Sequence, residues 1–178
     1  HGGPGLRNAT VDAVLNAVYI RKQVEPYFDL PYSQPNMHEV VFSDDRQAKN
    51  GIRTGHFAKR LIDYGFHPYT VSFPLIVRGA LMIEPTETES KQEIDQFISA
   101  MISIAKEVET DPQLVKTAPH STRTSRVDET TPARKPVLRW PARPYAPPSI
   151  SQCGAGSLAL PGARSSSAAG AAVARRII

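Results

Sequence analysis

The sequence predicts an α+β domain, a small sheet carrying helices on one face, followed by a tail with no core of its own. Two observations predict it. Across residues 1–110, apolar residues recur at helical spacing in three stretches with short β-branched or aromatic runs between them. The order is helix, strand, helix, strand, strand, helix. After Trp140 the composition changes abruptly: residues 141–178 hold 10 Ala, 6 Ser, 5 Pro and 4 Gly, together 25 of 38 positions, and no acid.

Each element has a local cause. Val11, Val14, Leu15 and Val18 follow the i, i+3, i+4, i+7 spacing of an amphipathic helix, expected over 10–24, with Asn8 or Thr10 as its cap and Pro26 as its stop. Gly2, Gly3 and Gly5 read as a lead-in to it. "YFDLPYSQPN" is rich in turn formers, "MHEVVF" (37–42) has strand composition, and "SDDRQAKNG" reads as an exposed loop. Thr54 is placed to cap a second helix that buries Phe57, Leu61 and Tyr64 and stops at Gly65. Pro68 keeps His67 out of helical geometry. "TVSFP" (70–74) and "ALMIEP" (80–85) predict a hairpin across "LIVRG".

In "ALMIEPTETESKQEI" (80–94) the apolar run breaks at proline and acids follow. Thr86 and Glu89 have the spacing of a capping box, and Glu87 and Glu89 sit at the positive end of the coming helix. Ile94, Phe97, Ile98, Met101, Ala105 and Val108 form that helix's buried stripe. Glu84, at the strand end before Pro85, is left over by the cap. Residues 111–140 show no sustained period and predict an extended strap lying over a surface, anchored by Val137, Leu138 and Trp140. Residues 141–178 predict disorder. A shifted reading frame or gene boundary at Trp140 is a second account of that break, and resequencing the coding DNA tests it.

Charge narrows the partners. The chain carries 21 Lys+Arg against 17 Asp+Glu. Arg143, Arg164, Arg175 and Arg176 lie in the acid-free tail, so residues 1–140 balance at 17 − 17 = 0. No nucleic-acid partner is expected for the folded part. The single cysteine, Cys153, allows no internal disulfide and no cysteine metal cluster, which suits a reducing compartment. No apolar stretch reaches the length of a membrane span and no leader pattern opens the chain. The reading is a cytoplasmic chain without a membrane partner, and the start at His1 reads as a processed chain or a fragment.

Five segments in order carry a resemblance: "GLRNATVDAVLNAVYI", "HEVVF", "AKRLIDYGFHPYTVSFPLIV", "ALMIEPTETESKQEID" and "ARKPVLRW". Together they resemble the glycine dehydrogenase (decarboxylating) family, the P-protein of the glycine cleavage system. They are most similar to the C-terminal part of subunit 2 of its two-subunit form. The resemblance covers residues 1–140 and ends at Trp140, with "DYGFHPYTVSFP" and "MIEPTETESK" its most specific parts. It implies the small C-terminal domain of a fold type I enzyme, like aspartate aminotransferase, dependent on pyridoxal phosphate. It further implies glycine as substrate, decarboxylation with the cofactor ring taking up electrons, and transfer of the aminomethyl group to the lipoyl arm of the H-protein. The implied partners are subunit 1, the chain's own large domain and the lipoylated H-protein. Residues 1–110 would be the small domain, 111–140 the strap and 141–178 the tail.

One departure matters. The family's lysine motif, Lys-Thr ahead of a histidine and a glycine run, is not in this sequence, and "HGGPG" at 1–5 precedes a helix that matches well downstream of it. No catalytic residue is assigned, and Lys22, Lys49 and Lys59 are not promoted to the cofactor lysine. Activity of the chain alone is not expected. His67 reads as a turn residue or as cleft lining, Thr70 and Ser72 as strand hydroxyls facing substrate or solvent, and Glu84 as a cleft-facing or a satisfied strand-end carboxylate. His38, His56 and His120 are scattered without ligand spacing, so no metal site is expected. The alternative function is a free-standing α+β module that binds a small amino acid.

Overall fold

In the computed structural model, which describes residues 1–139, three short strands pair antiparallel. β1 (Val40–Ser43) and β2 (Thr70–Val71) flank β3 (Ala80–Ile83) in the order β1–β3–β2. Val40 lies opposite Ile83 and Phe42 opposite Leu81, and Thr70 lies opposite Met82. The predicted hairpin between 70–74 and 80–85 is therefore present. All four β3 residues are buried, as befits the central strand. Because strand side chains alternate, Val40, Phe42, Leu81 and Ile83 share one face. They join a single apolar cluster with Ile20 and Val24, Phe57 and Leu61, and Ile94, Phe97 and Met101 of three helices. This is the expected α+β layer with helices on one side.

Those helices are α1 (Gly2–Val24), α3 (Thr54–Asp63) and α4 (Lys91–Thr110), with the one-turn α2 (Asp45–Ala48) after β1. The expected stripe of α4 is buried at every position from Ile94 to Val108. Phe97 meets Phe66 nearly edge-on at 5.6 Å, an arrangement suited to the ring quadrupoles. α1 stops before Pro26, as proline requires.

Several expectations need correction. α1 starts at Gly2, so the glycines form its first turn, and Thr10 is interior, its hydroxyl donating to the Leu6 carbonyl at 3.0 Å. "SDDRQAKNG" is no exposed loop: it holds α2, and Asp44 and Gln47 are buried. α3 is capped by Arg53, whose N–H donates to Nδ1 of His56 at 2.9 Å, and Thr54 is already helical. Tyr64 ends half-exposed because its hydroxyl turns outward to Glu107, 2.8 Å away. α4 is capped by Ser90, whose Oγ accepts from the Glu93 N–H at 3.2 Å, while the Thr86 hydroxyl pairs with that of Thr88.

The body containing these elements runs on to Val127. Within it α5 (Pro112–Lys116), capped by Asp111, packs on α3 and α4 and buries Val115. A second unit begins at Asp128, whose carboxylate accepts from the N–H groups of Thr130 and Thr131 at the start of α6 (Thr130–Arg134). The segment expected to lie extended thus contains two short helices. Trp140 and the tail 141–178 fall outside the described residues. No helix among the described residues is long and apolar enough to cross a membrane.

Candidate functional site

The structure separates the residues singled out from sequence. His67 is exposed, its Nδ1 3.0 Å from the Pro68 carbonyl oxygen, in the turn leading to β2. Thr70 and Ser72 are exposed along the sheet edge that β2 forms, and Ser72 takes a left-handed φ of 59°. Only Glu84 faces a concavity. It lines an open groove of about 670 Å³ together with His38, Pro85, Thr86 and Glu87, and with Leu6 and Thr10 of α1.

Two other clusters of ionisable groups were not visible in sequence, and both hold the fold together. Asp44 is fully buried. Its Oδ2 accepts from the Thr54 N–H at 2.7 Å, its Oδ1 lies 3.3 Å from the Arg53 guanidinium, and its own N–H donates to the Gly79 carbonyl. Burial pushes its carboxyl up, and the Thr54 N–H and Arg53 only partly oppose that. Gly79, at φ 59°, is needed here: a Cβ would run into the Asp44 carboxylate. One aspartate so ties the end of β1, the start of α3 and the entry to β3.

The second cluster centres on Arg60 of α3. Its guanidinium holds both oxygens of Glu107 at 2.9 Å and Asp63 at 2.9 Å. The other Asp63 oxygen accepts from the N–H of His120, and from the N–H and hydroxyl of Ser121, at 2.7 to 2.8 Å. Burial alone would raise the Asp63 carboxyl, but the Ser121 and His120 donors and Arg60 outweigh it and hold it at about 2. Every polar atom in this node has a structural use.

The end of the β1–β3 ladder, at the margin of the groove, is different. His38, Glu39 and Glu84 bring one nitrogen and two carboxylate oxygens within 4.8 Å of one another. The register that sets Val40 against Ile83 sets Glu39 against Glu84 one step beyond the ladder. Sequence reading missed this trio because it sought histidines near histidines. The antiparallel alignment of "MHEVVF" with "ALMIEP" was the available signal.

No described residue fits the covalent anchor of pyridoxal phosphate. An imine-forming lysine needs a desolvated amine of lowered basicity. None of the seven described lysines is buried. Lys91 is salt-bridged to Asp95 at 2.7 Å, which raises its basicity. The glycines at 2, 3 and 5 wind into α1 rather than forming a phosphate cradle.

Residues 9–123 match a family described as glycine dehydrogenase, C-terminal domain. The chain is 56% identical over 139 residues to the probable glycine dehydrogenase (decarboxylating) subunit 2 of Shouchella clausii, covering 78% of this chain and 28% of that protein. The like-named protein of Halalkalibacterium halodurans is 57% identical over the same length and shares. That of Bacillus licheniformis is 55% identical, with 29% of it covered. The chain thus spans under a third of the length of these curated relatives.

Proposed function

The chain belongs to the glycine dehydrogenase C-terminal domain family, and from that premise we propose that residues 1–110 serve as the small closing domain of a glycine-decarboxylating subunit. The larger fold is type I, and the lysine that binds pyridoxal phosphate stands in the remainder of that subunit. The cofactor, when bound, supplies an electron sink for decarboxylation, and no residue here anchors it. The aminomethyl group then passes to the lipoyl arm of the H-protein, with subunit 1 as the companion chain. Glu84, Thr70, Ser72 and His67 are the polar groups this domain offers to the cleft. The lone Cys153 is consistent with a cytoplasmic setting.

One observation carries this reading: among the described residues the apolar stripe of α1 is incompletely covered, with Val14 and Val18 only partly buried and Val11 and Leu15 exposed. Val11, Val14, Leu15 and Val18 have the spacing of a buried face, yet none is buried, and Val11 and Leu15 are 44% and 60% exposed. The helix packs instead through Ala17, Ile20, Arg21 and Val24. Phe73, Leu75 and Ile76, between β2 and β3, are also bare, Leu75 at 88%. Faces of this kind mark surfaces made to be covered, and the relatives supply a large remainder to cover them.

Reconstitution tests the proposal. This chain is mixed with the part of the S. clausii relative outside the matched region, with subunit 1, pyridoxal phosphate, lipoylated H-protein and carboxyl-labelled glycine. Label is released as carbon dioxide only when the chain is present, and the chain alone releases none. Release independent of the chain, or submillimolar glycine binding by the chain alone in calorimetry, overturns the reading; the second outcome favours the amino-acid-binding module.

A further inference from the structure

We propose that His38, Glu39 and Glu84 form a binding site for a divalent transition-metal ion of the zinc class, with water completing the coordination on the side open to the groove. The inference does not depend on the function proposed above.

The donor set is the first argument. An imidazole nitrogen and two carboxylate oxygens already lie within 4.8 Å of one another. Ligands about 2.1 Å from one ion stand about 3 to 4 Å apart, so side-chain rotation closes the set without moving the backbone. Imidazole selects zinc-like ions over magnesium or calcium, which prefer oxygen alone. Three protein ligands with one open side match an exchangeable site, not a closed structural one.

Charge is the second. Carboxylates directly opposed at the end of a strand ladder repel, and Glu87 joins Glu84 in the groove, whose lining includes no lysine or arginine. Elsewhere in the body several buried or half-buried acids have cationic partners: Asp29 with Arg46, Asp44 with Arg53, Asp63 and Glu107 with Arg60, Asp95 with Lys91. Glu39 and Glu84 have no such partner among the described residues. His38 stands beside the pair, and a bound divalent ion would neutralise the two carboxylates.

The third argument is support. Glu39 and Glu84 adjoin Val40 and Ile83, which are 2% and 0% exposed, and Pro85 stiffens the chain beyond. Upstream of His38, the loop is held by the nine-tenths-buried Arg21. Its guanidinium donates to the carbonyls of Ser33 and Gln34 at 2.8 Å and to Oδ1 of Asn36 at 3.3 Å. Downstream, Asn16 of α1 donates to the Thr86 carbonyl at 2.9 Å. Both approaches to the trio are pinned from α1, so the donors are pre-positioned.

The test uses the whole 178-residue chain, stripped with a chelator and titrated with Zn²⁺ in calorimetry at neutral pH. One equivalent binds, and His38→Asn, Glu39→Gln and Glu84→Gln each weaken it at least tenfold while leaving the metal-free melting transition in place. His1→Ala, which removes a competing chelate of imidazole and terminal amine, changes little. In the unsubstituted chain, Zn²⁺ shifts the His38 ring resonances before those of His1, His56, His67 and His120, a readout independent of any variant. Affinity unchanged in the three variants, affinity lost with His1→Ala, or another histidine responding first overturns the proposal.

Discussion

Helices α1 and α4 pack against each other and are of similar length, 23 and 20 residues, yet they spend their apolar residues differently. In α4 the periodic stripe of the sequence is the buried stripe, and Ala100 and Ile104 widen it. In α1 the periodic stripe is the less covered one among the described residues, and the four residues that are buried lie in the C-terminal half. Among those four is Arg21, buried because it reaches past the core to the carbonyls of the 33–36 loop. The difference teaches that hydrophobic period announces an interface without naming the other side of it. For α4 the other side is in this chain; for α1 we place it in the remainder of the subunit.

The comparison breaks most visibly if α4 is not the core helix it looks to be. Phe97 is fully buried and packs on Phe66. Phe97→Ala should cost about 3 to 5 kcal/mol, as loss of a large buried side chain does. The check is urea unfolding with an unchanged slope and a much lower midpoint. A loss under about 1 kcal/mol would mean that α4 is as loosely covered as α1.

Asp63 sharpens the same comparison on the polar side, where α3 is closed by chain that follows α5. The folded carboxyl titrates near 2, lower than the ~3.9 of an unfolded aspartate. Its contribution is therefore complete above about pH 4 and is lost as pH falls through about 2, a span worth roughly 2 kcal/mol. Stability measured against pH should fall along that limb in the native chain. In Asp63→Asn the limb should flatten, with lower stability at neutral pH. An unaltered acid limb in the variant would show that the 120–121 segment is not held by this carboxylate.

What could be read in advance follows the range of each interaction. The α4 stripe and the β2–β3 hairpin were legible because their causes lie within a few residues of one another. The cap of α4 was misplaced by four residues because Thr86–Glu89 and Ser90–Glu93 both have the S/T-x-x-E spacing. Thr86 is drawn instead into a turn with Thr88, so the second pair starts the helix. α2 was missed for a different reason. Its environment is made by Gly79, Thr54 and Arg53, which sequence order keeps apart and only the fold assembles. His38 and Glu84 stand 46 positions apart and meet through strand register, so the groove they share was half legible: Glu84 was marked, and His38 was weighed only against other histidines.

The smallest expected effect bears on the open side of the comparison. Leu15→Gln alters a residue that is 60% exposed and sits in mid-helix. Leucine and glutamine have similar helix propensity, and a surface change of this kind should move the stability of the isolated chain by no more than about 0.5 kcal/mol. The same change should weaken association with the rest of the subunit at least tenfold, because an apolar anchor at an interface is replaced by an amide that must be desolvated. Sedimentation or calorimetry of the mixed pieces reads the second number, and denaturation of the chain alone reads the first. Were the stability loss to approach that of Phe97→Ala, the stripe would already be covered from within the chain, and α1 and α4 would no longer differ.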